Sequence, residues 1–171
     1  MKKRRVIGID PGLAHTGFGI IDFINGKMKL VSYGVIETSP DDSHELRLLS
    51  LYNRLDAVLN EFRPSEAEME TLYFARNISS AMAVSEAKGV ATLAVARKGI
   101  PLNYYTPNQI KSAVTGTQSS NKETVQLYVK LLLNLKAVPE PDHAADALAG
   151  AITHIHSTQN PSAGIRQEND A

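Results

Sequence analysis

The stretch Val6-Ile7-Gly8-Ile9-Asp10-Pro11-Gly12, directly behind four basic residues, Lys2 to Arg5, decides how the chain is read. Four residues of extended apolar chain end in one carboxylate, and Pro11-Gly12 then stops the strand. This predicts Asp10 at the carboxyl end of a buried strand, where open α/β sheets gather their chemistry. A buried carboxylate costs several kcal/mol unless it is paired or bound to a metal. The partners of Asp10 are therefore the route to function.

Working outward, Thr16–Phe23 and Met28–Glu37 read as two more strands joined by Asn25-Gly26, a strong hairpin signal. Leu48, Leu51, Tyr52, Leu55, Val58, Leu59 and Phe62 recur at helical spacing and predict an amphipathic helix over 44–62, closed by Arg63-Pro64-Ser65. Residues 66–72 read as a short strand. An Ala-rich helix over 78–98 ends before Gly99, and Leu102–Tyr105 is a strand. Thr106-Pro107 opens a short helix with Thr as cap and Pro at the first position. Ser120, with Glu123 three residues on, reads as a capping box starting a helix to about Asn134. Pro139 and Pro141 break the chain, and Asp142–His156 is the last helix. The order predicts one α/β domain over residues 1–156: a mixed five-stranded sheet with helices on both faces. Residues 157–171 are polar and aperiodic and read as a disordered tail.

The 171 residues are 43% hydrophobic and 21% charged, enough for one ordinary core. There is no cysteine, which excludes disulfides and thiolate metal sites and fits a cytoplasmic protein. The basic start resembles a signal peptide, but Gly8 and Asp10 break the apolar run behind it. No apolar stretch is long enough to span a bilayer. Formal net charge is 0, unevenly spread. Residues 37–70 carry nine acidic and three basic side chains, and residues 71–139 carry eight basic and two acidic. A basic half can present a positive face to phosphates despite overall neutrality, although chance clustering on solvated helices explains it equally well.

Carboxylates occur at three informative places. Asp10 ends the first strand. Glu66, Glu68 and Glu70 alternate, which puts them on one face of the fourth strand, with Glu70 at its end. Asp146 lies early in the last helix, three residues after His143, so the two share a helix face. Ala144, Ala145, Ala147, Ala149 and Gly150 around it let that helix approach a sheet closely. Three oxygen donors and one imidazole, without sulfur, suit Mg²⁺ or Mn²⁺, and two such ions would activate water for attack on a phosphodiester. Each feature also has an ordinary structural explanation. A strand-end Asp caps turns, three alternating Glu suit a solvent-facing edge strand, and Asp142 suits an N-cap. His143 suits the surface; His15, His44, His154 and His156 read as surface or internally satisfied residues.

A second set of residues suits nucleic acid. Tyr73 and Phe74 follow Glu70 closely, then Ala75, Arg76 and Asn77. Aromatics beside a basic residue at a strand-to-helix junction can stack on an unpaired base, although Phe74 equally suits the core. Lys111 and Lys122 flank a polar loop at two helices and suit phosphate.

Together these pieces resemble the RuvC family of Holliday-junction resolvases. The residues carrying the resemblance begin with Gly8-Ile9-Asp10-Pro11-Gly12 and Thr16-Gly17. They continue with Glu70, Tyr73-Phe74-Ala75-Arg76-Asn77, Ser80-Ala81 and Gly89. Gln109-Ile110-Lys111, the Gly116 loop to Lys122, and His143-Ala144-Ala145-Asp146-Ala147-Leu148-Ala149 with Ala151-Ile152-Thr153-His154 complete the set. The resemblance implies a ribonuclease-H-like fold, a homodimer, and Mg²⁺-dependent cleavage of four-way DNA junctions with two ions per subunit, which Mn²⁺ can replace. It also implies action with the RuvA-RuvB branch-migration complex. By it Asp10, Glu70, His143 and Asp146 form the catalytic, metal-binding set, and Tyr73, Arg76, Lys111 and Lys122 contact DNA. His143 stands where many members have Asp, and it is preferred to Asp142 because only it has the three-residue spacing to Asp146. Thr117-Gln118-Ser119 lacks a second glycine common in that loop, and Lys88 stands where Arg is usual. Three other readings remain: an actin-like ATPase, for which the chain is short of a second domain; a ribonuclease-H-like RNA-processing nuclease; and a non-catalytic junction-binding module.

Overall fold

The computed structural model describes residues 3–71 and 78–159. The Asp10 stretch forms β1 (Arg4–Asp10). A hairpin follows, β2 (His15–Ile24) and β3 (Lys27–Glu37), turned by Asn25 and Gly26. Both turn residues have positive φ, 52° and 78°, which is the backbone that Asn-Gly favours. Next come α1 (His44–Phe62), β4 (Glu66–Glu70), α2 (Ile78–Arg97), β5 (Leu102–Tyr105), α3 (Pro107–Thr115), α4 (Lys122–Leu132) and α5 (Asp142–Gln159). Sheet order is β3-β2-β1-β4-β5. The first three strands are antiparallel, and β4 and β5 are parallel to β1.

Alternation along β1 splits the core in two. Ile7 and Ile9 face α1 and α2, where they meet Leu51, Leu55, Leu59, Ala91 and Val95. Val6 faces the other layer with Ile110 of α3, Val129 of α4, and Leu148, Ile152 and Ile155 of α5. Helices therefore cover both faces, as the alternating pattern predicts.

Three glycines decide how α5 sits. A Cβ at Gly8 would overlap the Ala147 carbonyl, one at Gly17 the His143 carbonyl, and one at Gly19 the Leu148 side chain. Glycine weakens a strand but permits close approach of another backbone. Gly8 pairs with Gly19 across β1 and β2, and Gly17 pairs with Asp10. The helix backbone thus lies directly on the strand that carries Asp10.

Some local expectations are corrected. The N-cap of α4 is Asn121, whose side chain accepts from Thr124 N; Ser120 is instead bonded to Thr115, hydroxyl to hydroxyl at 2.6 Å. β4 is an interior strand, so Glu66, Glu68 and Glu70 do not line a solvent-facing edge. α5 begins at Asp142 itself and continues three residues beyond His156. His154 takes the internally satisfied one of its two expected readings. It is 1% exposed, with Nε2 2.7 Å from Glu66 and Nδ1 2.9 Å from the Tyr105 hydroxyl. Arg4 donates two hydrogen bonds to Glu66, at 2.7 and 2.6 Å. These bonds hold the Glu66 carboxyl well below its usual range, at about 2. An ionised Glu66 only accepts, so His154 Nε2 is the donor in that bond.

Candidate active site

The carboxyl ends of β1 and β4 meet the first turns of α5. Asp10 is half-buried, its side chain 29% exposed. His143 Nδ1 lies 2.7 Å from Asp10 Oδ2. Gly17 is the cause on the strand side, because its missing Cβ lets the His143 backbone settle beside Asp10. Asp142 points away. Its side chain is 64% exposed and takes Gln126 Nε2 at 3.0 Å and Lys122 Nζ at 3.1 Å. Of the two neighbours, His143 is the one that meets Asp10.

Lys122, the first residue of α4, also lies 3.1 Å from Asp146. Burial raises the Asp146 carboxyl and nearby Asp10 adds to the rise, while Lys122 opposes it. Burial also lifts Glu70, with Asp10 and Asp146 adding repulsion, up to about 7. Lys88 and Lys111 partly offset that rise. Lys88 Nζ donates to the Glu70 carbonyl at 2.6 Å and lies 4.7 Å from the Tyr104 ring centroid. Asp10, Glu70, His143 and Asp146 thus gather at one end of the sheet, with Lys88, Lys111 and Lys122 around them. Tyr73 and Arg76 lie outside the described residues.

Two neighbours of this group escape sequence reasoning. Glu68, two residues before Glu70, is 1% exposed and its Oε1 has no hydrogen-bond partner among the described residues. Burial first, then Glu70 and Asp10, pushes its carboxyl well above the usual range. Alternation in β4 gives its face, and only Gly150 opposite gives its room. The second neighbour is His15, the first residue of β2, whose ring lies parallel to that of His143. No local pattern signals that pair, which depends on where α5 lands.

The donors suit a hard divalent cation in type: carboxylate oxygens and one imidazole, no sulfur, and mutual repulsion that a cation would relieve. As the side chains stand, no three His, Asp or Glu among the described residues converge closely enough to enclose one. A cation would compete with Lys122 for Asp146, and would draw on both Asp10 and the imidazole beside it.

Comparisons with known proteins show the family. The family model described as crossover junction endodeoxyribonuclease RuvC matches residues 6–154. A protein of that name from Treponema denticola is 53% identical over 151 residues, covering 88% of this chain and 85% of that one. A Thermus thermophilus RuvC structure superposes with a TM-score of 0.85 at 36% identity, covering 92% of this chain and 97% of that one. RuvC from the same organism, solved in complex with a Holliday junction substrate, gives 0.83 at 35% identity over 91% and 95%. With its ribonuclease-H-like sheet and its strand-end carboxylates, this chain belongs to the RuvC family of crossover junction endodeoxyribonucleases.

Proposed function

We propose that this protein resolves four-way DNA junctions by paired, symmetrical nicks, and that Asp10, Glu70, His143 and Asp146 are its catalytic and metal-binding residues. The observation that carries the reading is the gathering of Asp10, Asp146 and Glu70 in one place: burial first, and then the two neighbouring carboxylates, push Glu70 up to about 7. Such crowding is costly in a metal-free protein and useful in one that binds divalent cations. Two Mg²⁺ per subunit, or Mn²⁺ in their place, would offset the carboxylates and supply an activated water for in-line attack, leaving 5′-phosphate ends.

The chain's own residues do the rest. Asp10 and Asp146 approach from a strand end and a helix, so neither can move far without shifting a backbone element. Lys122, already beside Asp146, lends positive charge where the scissile phosphate gains negative charge. Lys111 binds phosphate beside Glu70, Tyr73 stacks on a base and Arg76 binds the backbone. A symmetric homodimer would present two sites to the two opposed strands of a two-fold junction. Exposed Leu46, Leu49, Met82 and Leu93 on α1 and α2 supply apolar surface for it. The RuvA-RuvB complex is the expected partner in recombination and repair, and the cytoplasm the expected place. Among the described residues no helix is long and apolar enough to cross a membrane. Residues 1–156 are the nuclease domain, with α5 running on to Gln159, and the rest of 157–171 is a tail.

The test compares a synthetic four-way junction with a plain duplex, with and without Mg²⁺. Paired ligatable nicks in the junction alone, only with the metal, are expected. Binding without nicking would favour a non-catalytic module, and preferential RNA cleavage an RNA-processing enzyme.

A further inference from the structure

We propose that His15 is a positioning residue for strand cleavage: its ring, stacked on His143, holds that imidazole against Asp10. The inference rests on the reading above that His143 belongs to the reactive set. The two ring centroids are 5.7 Å apart and the planes differ by 7°. This is the offset-parallel arrangement that aromatic rings favour.

His143 needs such support. It lies in the first turn of α5, its side chain is 45% exposed, and Asp10 is its one hydrogen-bond partner among the described residues. A single bond at the ring edge leaves the plane free to swing about that contact. A parallel ring against its face removes that freedom.

The backbone of His15 is anchored, although its side chain is half-exposed. It pairs with Glu37 across β2 and β3, and its Nε2 lies 3.9 Å from Glu37 Oε1. The next residue, Thr16, donates from Oγ1 to the Gly12 carbonyl at 2.7 Å and accepts from Gly12 N at 3.2 Å. The turn that follows Asp10 and the start of β2 are therefore one unit, so His15 and Asp10 hold a fixed relation. His143 is clamped between the end of β1 and the start of β2, its edge on Asp10 and its face on His15. A cleft of about 670 Å³, lined by His15, Glu37, Glu140, Pro141, Asp142 and His143, opens beside the stack. It leaves the imidazole room to swing when the stack is lost.

The experiment uses the full chain with His15→Ala, His15→Phe and His143→Ala. Single-turnover junction cleavage and calorimetric binding of Mn²⁺ alone are measured for each. Removal of the ring in His15→Ala is expected to lower the cleavage rate and weaken Mn²⁺ binding by roughly 3- to 10-fold each, the factor an aromatic pair is worth. Junction affinity without divalent metal should stay as in the parent, and the melting temperature should fall by no more than about 6 °C. His15→Phe keeps a flat ring and should restore both quantities. The proposal is overturned if His15→Ala matches the parent, or if His15→Phe is as impaired as His15→Ala. His143→Ala separates the two layers of the argument. Full cleavage by that variant removes the reading of the site itself, whereas its loss beside an unaffected His15→Ala removes only the role of His15.

Discussion

The carboxyl group of Glu68 fills the space that a Cβ on Gly150 would need. The glycine lies in the middle of α5, where it costs about 1 kcal/mol relative to alanine. Here it is the one residue that lets a buried acid and a helix backbone share a layer. Gly150→Ala should therefore destabilise the protein, by about 1–3 kcal/mol for overpacking, despite the better helix propensity. In a Glu68→Ala background the same change should be tolerated much better. Denaturant titration of the two single variants and the double variant checks this, and additive effects would refute a direct clash.

The three glutamates of β4 predict the pH response of the metal-free protein. Glu68 and Glu70 have folded-state values raised above the unfolded one, Glu70 to about 7. Their contribution is complete below about 4.5 and is lost as pH rises through the folded values. Glu66 is lowered to about 2, so its contribution is present above about 4.5 and is lost on acidification toward 2. Melting temperature in a chelator should fall between pH 5 and 8, and Glu68→Gln should flatten that fall. An unchanged slope in the variant would show that Glu68 does not hold its proton.

Gly17→Ala should injure the site through the backbone. The new Cβ would strike the His143 carbonyl, which has no flexible side chain to yield. A loss of about 2 kcal/mol or more is expected from the forced separation of α5 and β2. Cleavage should fall further than stability explains, because His143 and Asp10 move apart. Cleavage at a temperature where the variant remains folded makes the distinction.

His143 and Asp142 are neighbours with opposite expected fates. His143→Ala should lower junction cleavage by about 100-fold or more, as removal of a reactive-set member does. Asp142→Ala should stay within a few-fold, since that side chain is exposed and, among the described residues, meets only Lys122 and Gln126. Junction binding without divalent metal should survive both. Cleavage rates of the two variants under identical Mg²⁺ decide the matter.

Much of the fold is legible because its causes are local. Asn25-Gly26 specifies a hairpin, and Thr106-Pro107 starts α3, where the expected cap is completed by Gln109. The apolar stripe from Leu48 to Phe62 gives α1 with the bounds expected. Where local reasoning slips, a competing local bond is the reason. Ser120 is bonded to Thr115, so the cap of α4 passes to Asn121.

The sequence by itself determined the strand that ends in Asp10, the shared face of Glu66, Glu68 and Glu70, and the i, i+3 pairing of His143 with Asp146. Each follows from a period of 2 or 3.6 along one segment. Only the tertiary structure decided that His143 rather than Asp142 meets Asp10, that His15 stacks on it, and that Glu68 is sealed under Gly150. Those relations depend on how far α5 descends onto β1 and β2. Glycines at 8, 17 and 19 set that depth, and their effect exists only once the strands are in register.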